Sequence, residues 1–178
     1  MQLQDTILSD LKTDIIALQE ICGDTQHQVE EDFDFMLEKC PDMSMQYKYV
    51  RHQKTWGHMT SGTFWKDEKF ELLVASHKHR TLLTILRQRQ TGRVISIINV
   101  HLSAGPNPDQ RLRQIHEALD QTKKELTKLS SSNRRSFDPA MAPVILCGDF
   151  NSCDVTAARS GTSDEIQMYA ATAAAVVD

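Results

Sequence analysis

"VILCGDFNS", residues 144–152, is the stretch from which the rest of the chain can be read. Val144–Cys147 form an apolar run of strand length, and Gly148 then hands over to Asp149, Phe150 and Asn151. Gly-Asp and Asp-x-Asn are common turn chemistry. Here they follow a buried-type run, which puts a carboxylate and an amide at the end of a strand. Side chains alternate across a strand, so Asp149 and Asn151 share a face where extended geometry persists through them.

Two more apolar runs end the same way. "VISIINVHL" (94–102) carries Asn99 and His101 on one face near its end, and "DIIALQE" (14–20) finishes on Glu20. Around them, "TLLTILRQRQTGRVISIINVHL" (81–102) predicts a β-hairpin turning near Thr91 and Gly92, and "QYKYVR", "SGTFWK" and "FELLVA" predict three short strands. Leu3, Ile7, Leu8 and Leu11 recur at helical spacing, Val29, Phe33, Met36 and Leu37 mark a helix that Pro41 ends, and the Ala-rich "MYAATAAAVV" closes the chain as a third. After "SAGPNPD" a longer helix follows, with Pro108 near its first turn and Leu112, Ile115, Leu119, Leu126 and Leu129 on one stripe; a polar loop over 130–143 leads into the strand at 144. Strands mixed with crossover helices, without internal repeats, predict one α/β domain over 1–178: a sandwich of mixed β-sheets flanked by helices.

Composition narrows the function. At 178 residues and 40% hydrophobic content, the chain is long enough for one packed core. The longest apolar runs are far short of a membrane span, and "MQLQDTILSD" lacks the basic start and apolar centre of a signal peptide, so a cytoplasmic location without a membrane partner is expected. Cys22, Cys40, Cys147 and Cys153 form no C-x-x-C pair and fit reduced thiols. Of the 20 basic residues, 17 fall between Lys48 and Arg135, against 7 of the 24 acidic ones. Such a basic centre suits a polyanion, and equally suits solvated helix and strand faces. Tyr49, Trp56 and Trp65 are candidates either for base stacking or for core packing.

Carboxylates, an imidazole and an amide gathered on strand ends are the parts of divalent-metal phosphoester hydrolysis. Oxygen ligands hold Mg²⁺ with much of its water shell, a carboxylate orients water, and neutral or cationic donors stabilise charge on phosphate oxygens. Taken singly, each residue has an ordinary explanation: a strand ending in solvent for Glu20, a satisfied histidine for His101, turn chemistry for Asp149 and Asn151.

Together and in order, "DIIALQE", "SGTFWKDEKFEL", "INVHL", "RLRQIHEAL" and "VILCGDFNS" resemble the endonuclease/exonuclease/phosphatase superfamily, with the DNase I-like α/β sandwich, over roughly residues 11–152. They look most similar to its deadenylase and nocturnin-like branch. The resemblance implies Glu20 as a Mg²⁺ ligand, His101 as a phosphate-contacting histidine, Asp149 as the group that orients the attacking water and Asn151 as a donor to the scissile phosphate. It also implies an RNA 3′ exonuclease favouring poly(A). A phosphatase on a small nucleotide or phosphoinositide, or a non-catalytic protein binding a phosphorylated ligand or a protein partner, stay open beside it.

The family pattern also has an Asn on a strand before the first helix and a late Asp-His pair. No histidine follows Asn151, and Met1 stands at the first helix. The expectation is a partial sandwich, incomplete at both ends, that hydrolyses poly(A) far more slowly than a full-length relative.

Overall fold

The computed structural model describes residues 13–22, 47–54, 59–132 and 137–152. The helices expected over 3–11 and 29–37, and the Ala-rich closing helix, lie outside these residues. Within them the strands fall where the apolar runs place them. β1 (Ile15–Cys22), β2 (Tyr47–Arg51) and β3 (Met59–Lys66) make one sheet in the order β1-β3-β2; β4 (Phe70–Lys78), β5 (Thr81–Gln88), β6 (Val94–His101) and β7 (Val144–Asp149) make a second, in sequential order.

β6 organises the molecule because both of its faces are covered. Val94, Ile98 and Val100 pack with Leu83 and Ile85 of β5 beneath a helix, α1 (Pro108–Ser132), which supplies Ile115, Ala118 and Leu126. On the opposite face Ile95 joins Trp65, Phe70 and Leu86, together with Ile15 and Val50 of the first sheet. A strand buried on both faces reads as a nearly continuous apolar run, which is how "VISIINV" reads. Each fully buried Leu or Ile contributes about 1.5–3 kcal/mol. Asn99 and His101 have the parity of Ile95, so they face the first sheet.

β6 and β7 are parallel, whereas every other pairing is antiparallel. The second sheet is therefore mixed, as expected. The first, among the described residues, is purely antiparallel, which corrects the expectation of two mixed sheets. Parallel neighbours need a long crossover, and α1 is that crossover. The β5–β6 turn forms at the expected place, with Gly92 at φ +72° and its N–H donating to Gln88 O.

The stripe expected on α1 is partly wrong. Leu119 is 41% exposed, and the buried face is Arg111, Gln114, Ile115, Ala118, Thr122 and Leu126. Ala118 and Thr122 are buried where the helix lies over β5 and β4, so small and polar residues hold positions that a count of leucines misses. The loop expected from 130 begins later, because α1 runs to Ser132; a 3-10 turn at Pro139–Met141, capped by the Asp138 carboxylate accepting from Ala140 N, then leads into β7. Among the described residues no helix is long and apolar enough to cross a membrane. Cys147 is a free thiol whose pKa burial pushes up.

Candidate active site

Glu20 owes its position to an irregularity in β1. The ladder to β3 runs from Ile15↔Trp65 to Leu18↔Gly62 and resumes at Ile21↔Thr60, so Gln19 and Glu20 stand opposite Ser61 alone. The extra residue is a β-bulge, a device that re-aims a side chain. Glu20 takes φ +53° there, in the left-handed region, at a cost of about 1–3 kcal/mol that the surroundings must offset. Its carboxylate is turned outward and is 58% exposed.

His101 ends β6, buried, and Asp149 ends β7 directly beside it in the parallel register. Gly148 makes that closeness possible: a Cβ there would lie 2.1 Å from Val100 O, and its φ is +129°. Leu102 N–H donates to Asp149 O at 2.9 Å, and His101 N–H donates to Arg80 O at 3.0 Å, so the ends of β6 and β7 and the β4–β5 turn are stitched together.

His101 Nε2 lies 3.6 Å from Glu20 Oε1 and 3.8 Å from Asp149 Oδ2. One ligand atom from each of the three residues lies within 4.8 Å of the others. Hydrogen bonds to nitrogen span about 2.7–3.2 Å, so these groups face one another across a gap without being directly bonded. Asp149 Oδ1 is engaged by Asn151 N–H at 2.8 Å, which turns Oδ2 toward the gap. Among the described residues His101 Nδ1 is buried without a hydrogen-bond partner.

Of the four residues expected to converge, Glu20, His101, Asp149 and Asn151, the first three come together. Asn151 adjoins them through its bond to Asp149, but its amide Nδ2 donates to Leu102 O at 2.7 Å and pins the chain that follows His101. Asn99 stays out of the gap. Wholly buried, it donates through Nδ2 to Leu18 O (3.0 Å) and Gly62 O (2.9 Å) and accepts at Oδ1 from Gln19 Nε2 (2.7 Å).

Sequence reasoning missed the supports. Arg111, wholly buried, donates from Nη1 to Gly105 O at 2.6 Å and to Ser103 O at 3.3 Å, while Gln114 bonds both Ser103 N–H and Ser103 Oγ, so the first two turns of α1 clamp the loop after His101. A pair of polar residues, Arg111 and Gln114, three apart in "RLRQ" was the available signal. Of the aromatic candidates, Trp65 is core and Tyr49 packs on Phe64 at 5.5 Å between ring centroids; Trp56 lies outside the described residues. The basic middle of the chain is spread over the molecule: Lys66 and Lys69 pair with Asp14, Arg87 with Glu71 and Arg89 with Asp67, while Lys78 and His79, next to the site, both lie against Glu117.

A model of the endonuclease/exonuclease/phosphatase family matches residues 3–163, most of the chain. The chain belongs to the endonuclease/exonuclease/phosphatase family. No curated relative matches it by sequence. Among solved structures, the catalytic domain of human nocturnin with bound sulfate superposes at a TM-score of 0.60 and 20% identity, over 90% of this chain and 60% of that one. ANGEL2, described as a 2′,3′-cyclic phosphatase, gives 0.57 and 21% over 82% of this chain and 41% of that one. TDP2 from Caenorhabditis elegans gives 0.55 and 19% over 86% and 42%. At these identities the likeness shows the DNase I-like fold, and the chain spans less than two thirds of each of these structures. Two carboxylates beside an imidazole are a donor set suited to a hard, hydrated cation next to a phosphate.

Proposed function

We propose that this endonuclease/exonuclease/phosphatase chain carries the Glu20, His101 and Asp149 part of a Mg²⁺-dependent phosphodiesterase site that acts on RNA 3′ ends, favouring poly(A). The observation that carries the proposal is the gap between His101 Nε2 and the two carboxylates, 3.6 and 3.8 Å wide. Glu20 would hold the ion, which supplies charge stabilisation at the phosphate when bound. Asp149 has one oxygen fixed by the Asn151 N–H and the other free to take a proton from, or orient, a water. His101 presents Nε2 to the same space and donates to a phosphate oxygen. Asn151 contributes through the loop it ties to Leu102 O, and its second amide hydrogen is a candidate donor to the scissile phosphate.

Labelled oligo(A) with Mg²⁺ tests this. Release of mononucleotide from the 3′ end is expected, slow beside a full-length relative active on oligo(A) and lowered about 10²-fold or more by Asp149→Ala. No Mg²⁺-dependent cleavage, or cleavage untouched by Asp149→Ala, contradicts the proposal. An oligonucleotide ending in a 2′,3′-cyclic phosphate is the comparison substrate, prompted by the structural likeness to ANGEL2; faster turnover there would move the assignment from exonuclease to phosphatase.

A further inference from the structure

The buried polar group that the proposed chemistry leaves unused is Asn99. It is wholly buried between the two sheets, and all three of its hydrogen bonds reach the bulge that carries Glu20 or the strand opposite it. Nδ2 bridges Leu18 O and Gly62 O, the last in-register pair before the bulge, and Oδ1 receives Gln19 Nε2 from inside it. We infer that Asn99, acting with Gln19, is the positioning residue of Glu20: this three-way tie holds the bulge in the register that puts the Glu20 carboxylate across from His101.

The geometry supports more than a general sheet tie. Glu20 has a positive φ, which a residue with a side chain adopts only when its surroundings over-determine it. Asn99 supplies that determination, since a shift of the bulge by one residue would take the Leu18 and Gln19 partners away from an Asn99 amide that is wholly buried. Asn99 also stands two residues before His101 on β6, so the same strand that presents the imidazole sets where the carboxylate lies. The Gln19–Asn99 bond thereby couples "LQE" of one sheet to "NVH" of the other.

The inference rests on Glu20 holding a metal ion, and the test separates the two claims. Mg²⁺ affinity is measured by calorimetry on the whole chain for wild type, Glu20→Gln, Gln19→Met, Asn99→Leu and the Glu20→Gln/Asn99→Leu double variant, with the Tm of each recorded in chelator. Gln19→Met and Asn99→Leu are expected to weaken Mg²⁺ by about 10–100-fold, as loss of groups that orient a ligand does. The double variant should bind no more weakly than Glu20→Gln alone. A folded Gln19→Met or Asn99→Leu protein with wild-type affinity overturns the inference, because a sheet tie alone lowers Tm without moving affinity. Should Asn99→Leu fail to fold, Gln19→Met decides, since it keeps both bonds from Asn99 to the carbonyls. Should Glu20→Gln leave Mg²⁺ affinity unchanged, the metal assignment fails, and crystal structures of wild type and Gln19→Met decide the positioning claim: a Glu20 that leaves its positive φ and its place beside His101 supports it, and an unchanged bulge overturns it.

Discussion

Gly148→Ala joins the fold and the site in a single methyl group. The new Cβ would lie 2.1 Å from Val100 O, 2.9 Å from Val100 N and 3.0 Å from Val100 C, all backbone atoms of the neighbouring strand. Carbon–oxygen contacts do not close much below about 3.3 Å, so β7 must retreat from β6 by about 1 Å. Holding an alanine at φ +129° adds about 1–3 kcal/mol of strain. Retreat also weakens the parallel ladder around Val100↔Gly148, where each lost hydrogen bond costs about 1 kcal/mol. Together these amount to about 4 kcal/mol, a large share of the roughly 5–15 kcal/mol that stabilises a domain. Urea unfolding followed by circular dichroism reads this directly. In whatever fraction stays folded, Asp149 is displaced from His101 by a similar distance, and a misplacement of that size lowers a rate about 10²-fold. A Gly148→Ala protein within about 1 kcal/mol of wild type would refute the close approach of β6 and β7.

Other expectations follow from single environments. Burial, with His77 beside it, pushes the pKa of His52 down from 6.5 to about 4. The unfolded chain therefore binds that proton first, so His52 favours the folded state above pH 6.5 and loses this advantage as pH falls toward 4, by at most about 1.4 kcal/mol per pH unit; His52→Leu should flatten the Tm–pH curve over that window. Ala118→Leu should destabilise by about 1–3 kcal/mol through overpacking against the sheet, whereas Leu119→Lys on the exposed flank should stay within about 0.5 kcal/mol, both by chemical denaturation. Asn151 has φ +48°, so Asn151→Ala should cost about 1 kcal/mol more than Asn151→Gly, which loses the bond to Leu102 O but not the backbone freedom.

The strands were legible because burial on two faces writes itself as an unbroken apolar run, and "VISIINV" could hardly be anything else. His101 and Asp149 converge because they end neighbouring strands, as expected, but Glu20 does not end β1: the strand runs on to Cys22, and the carboxylate reaches the site from a bulge inside it. What escaped has physical reasons. The bulge at Gln19 and Glu20 contains no glycine, so nothing in "ALQEI" announced a positive φ. Gly148 reads as turn chemistry, and its actual role, the close approach of Val100, belongs to a residue 48 positions away in the chain. Leucine spacing misdirected the face of α1 because Ala118 and Thr122, with Arg111 and Gln114, hold the contact positions. Asn99 was visible as a polar residue sharing the face of His101, but its partners Leu18, Gln19 and Gly62 come from the other sheet.

The central claim is that Glu20 holds a cation next to His101 and Asp149. Titrating Mn²⁺, as a paramagnetic probe in place of Mg²⁺, into the whole chain while recording the ring signals of its 7 histidines by NMR tests it most directly. The structure predicts that the His101 signals broaden first, at substoichiometric Mn²⁺, and that Glu20→Gln abolishes this preference while leaving the fold intact. Broadening that starts at another histidine, or at His101 but unchanged by Glu20→Gln, would contradict it.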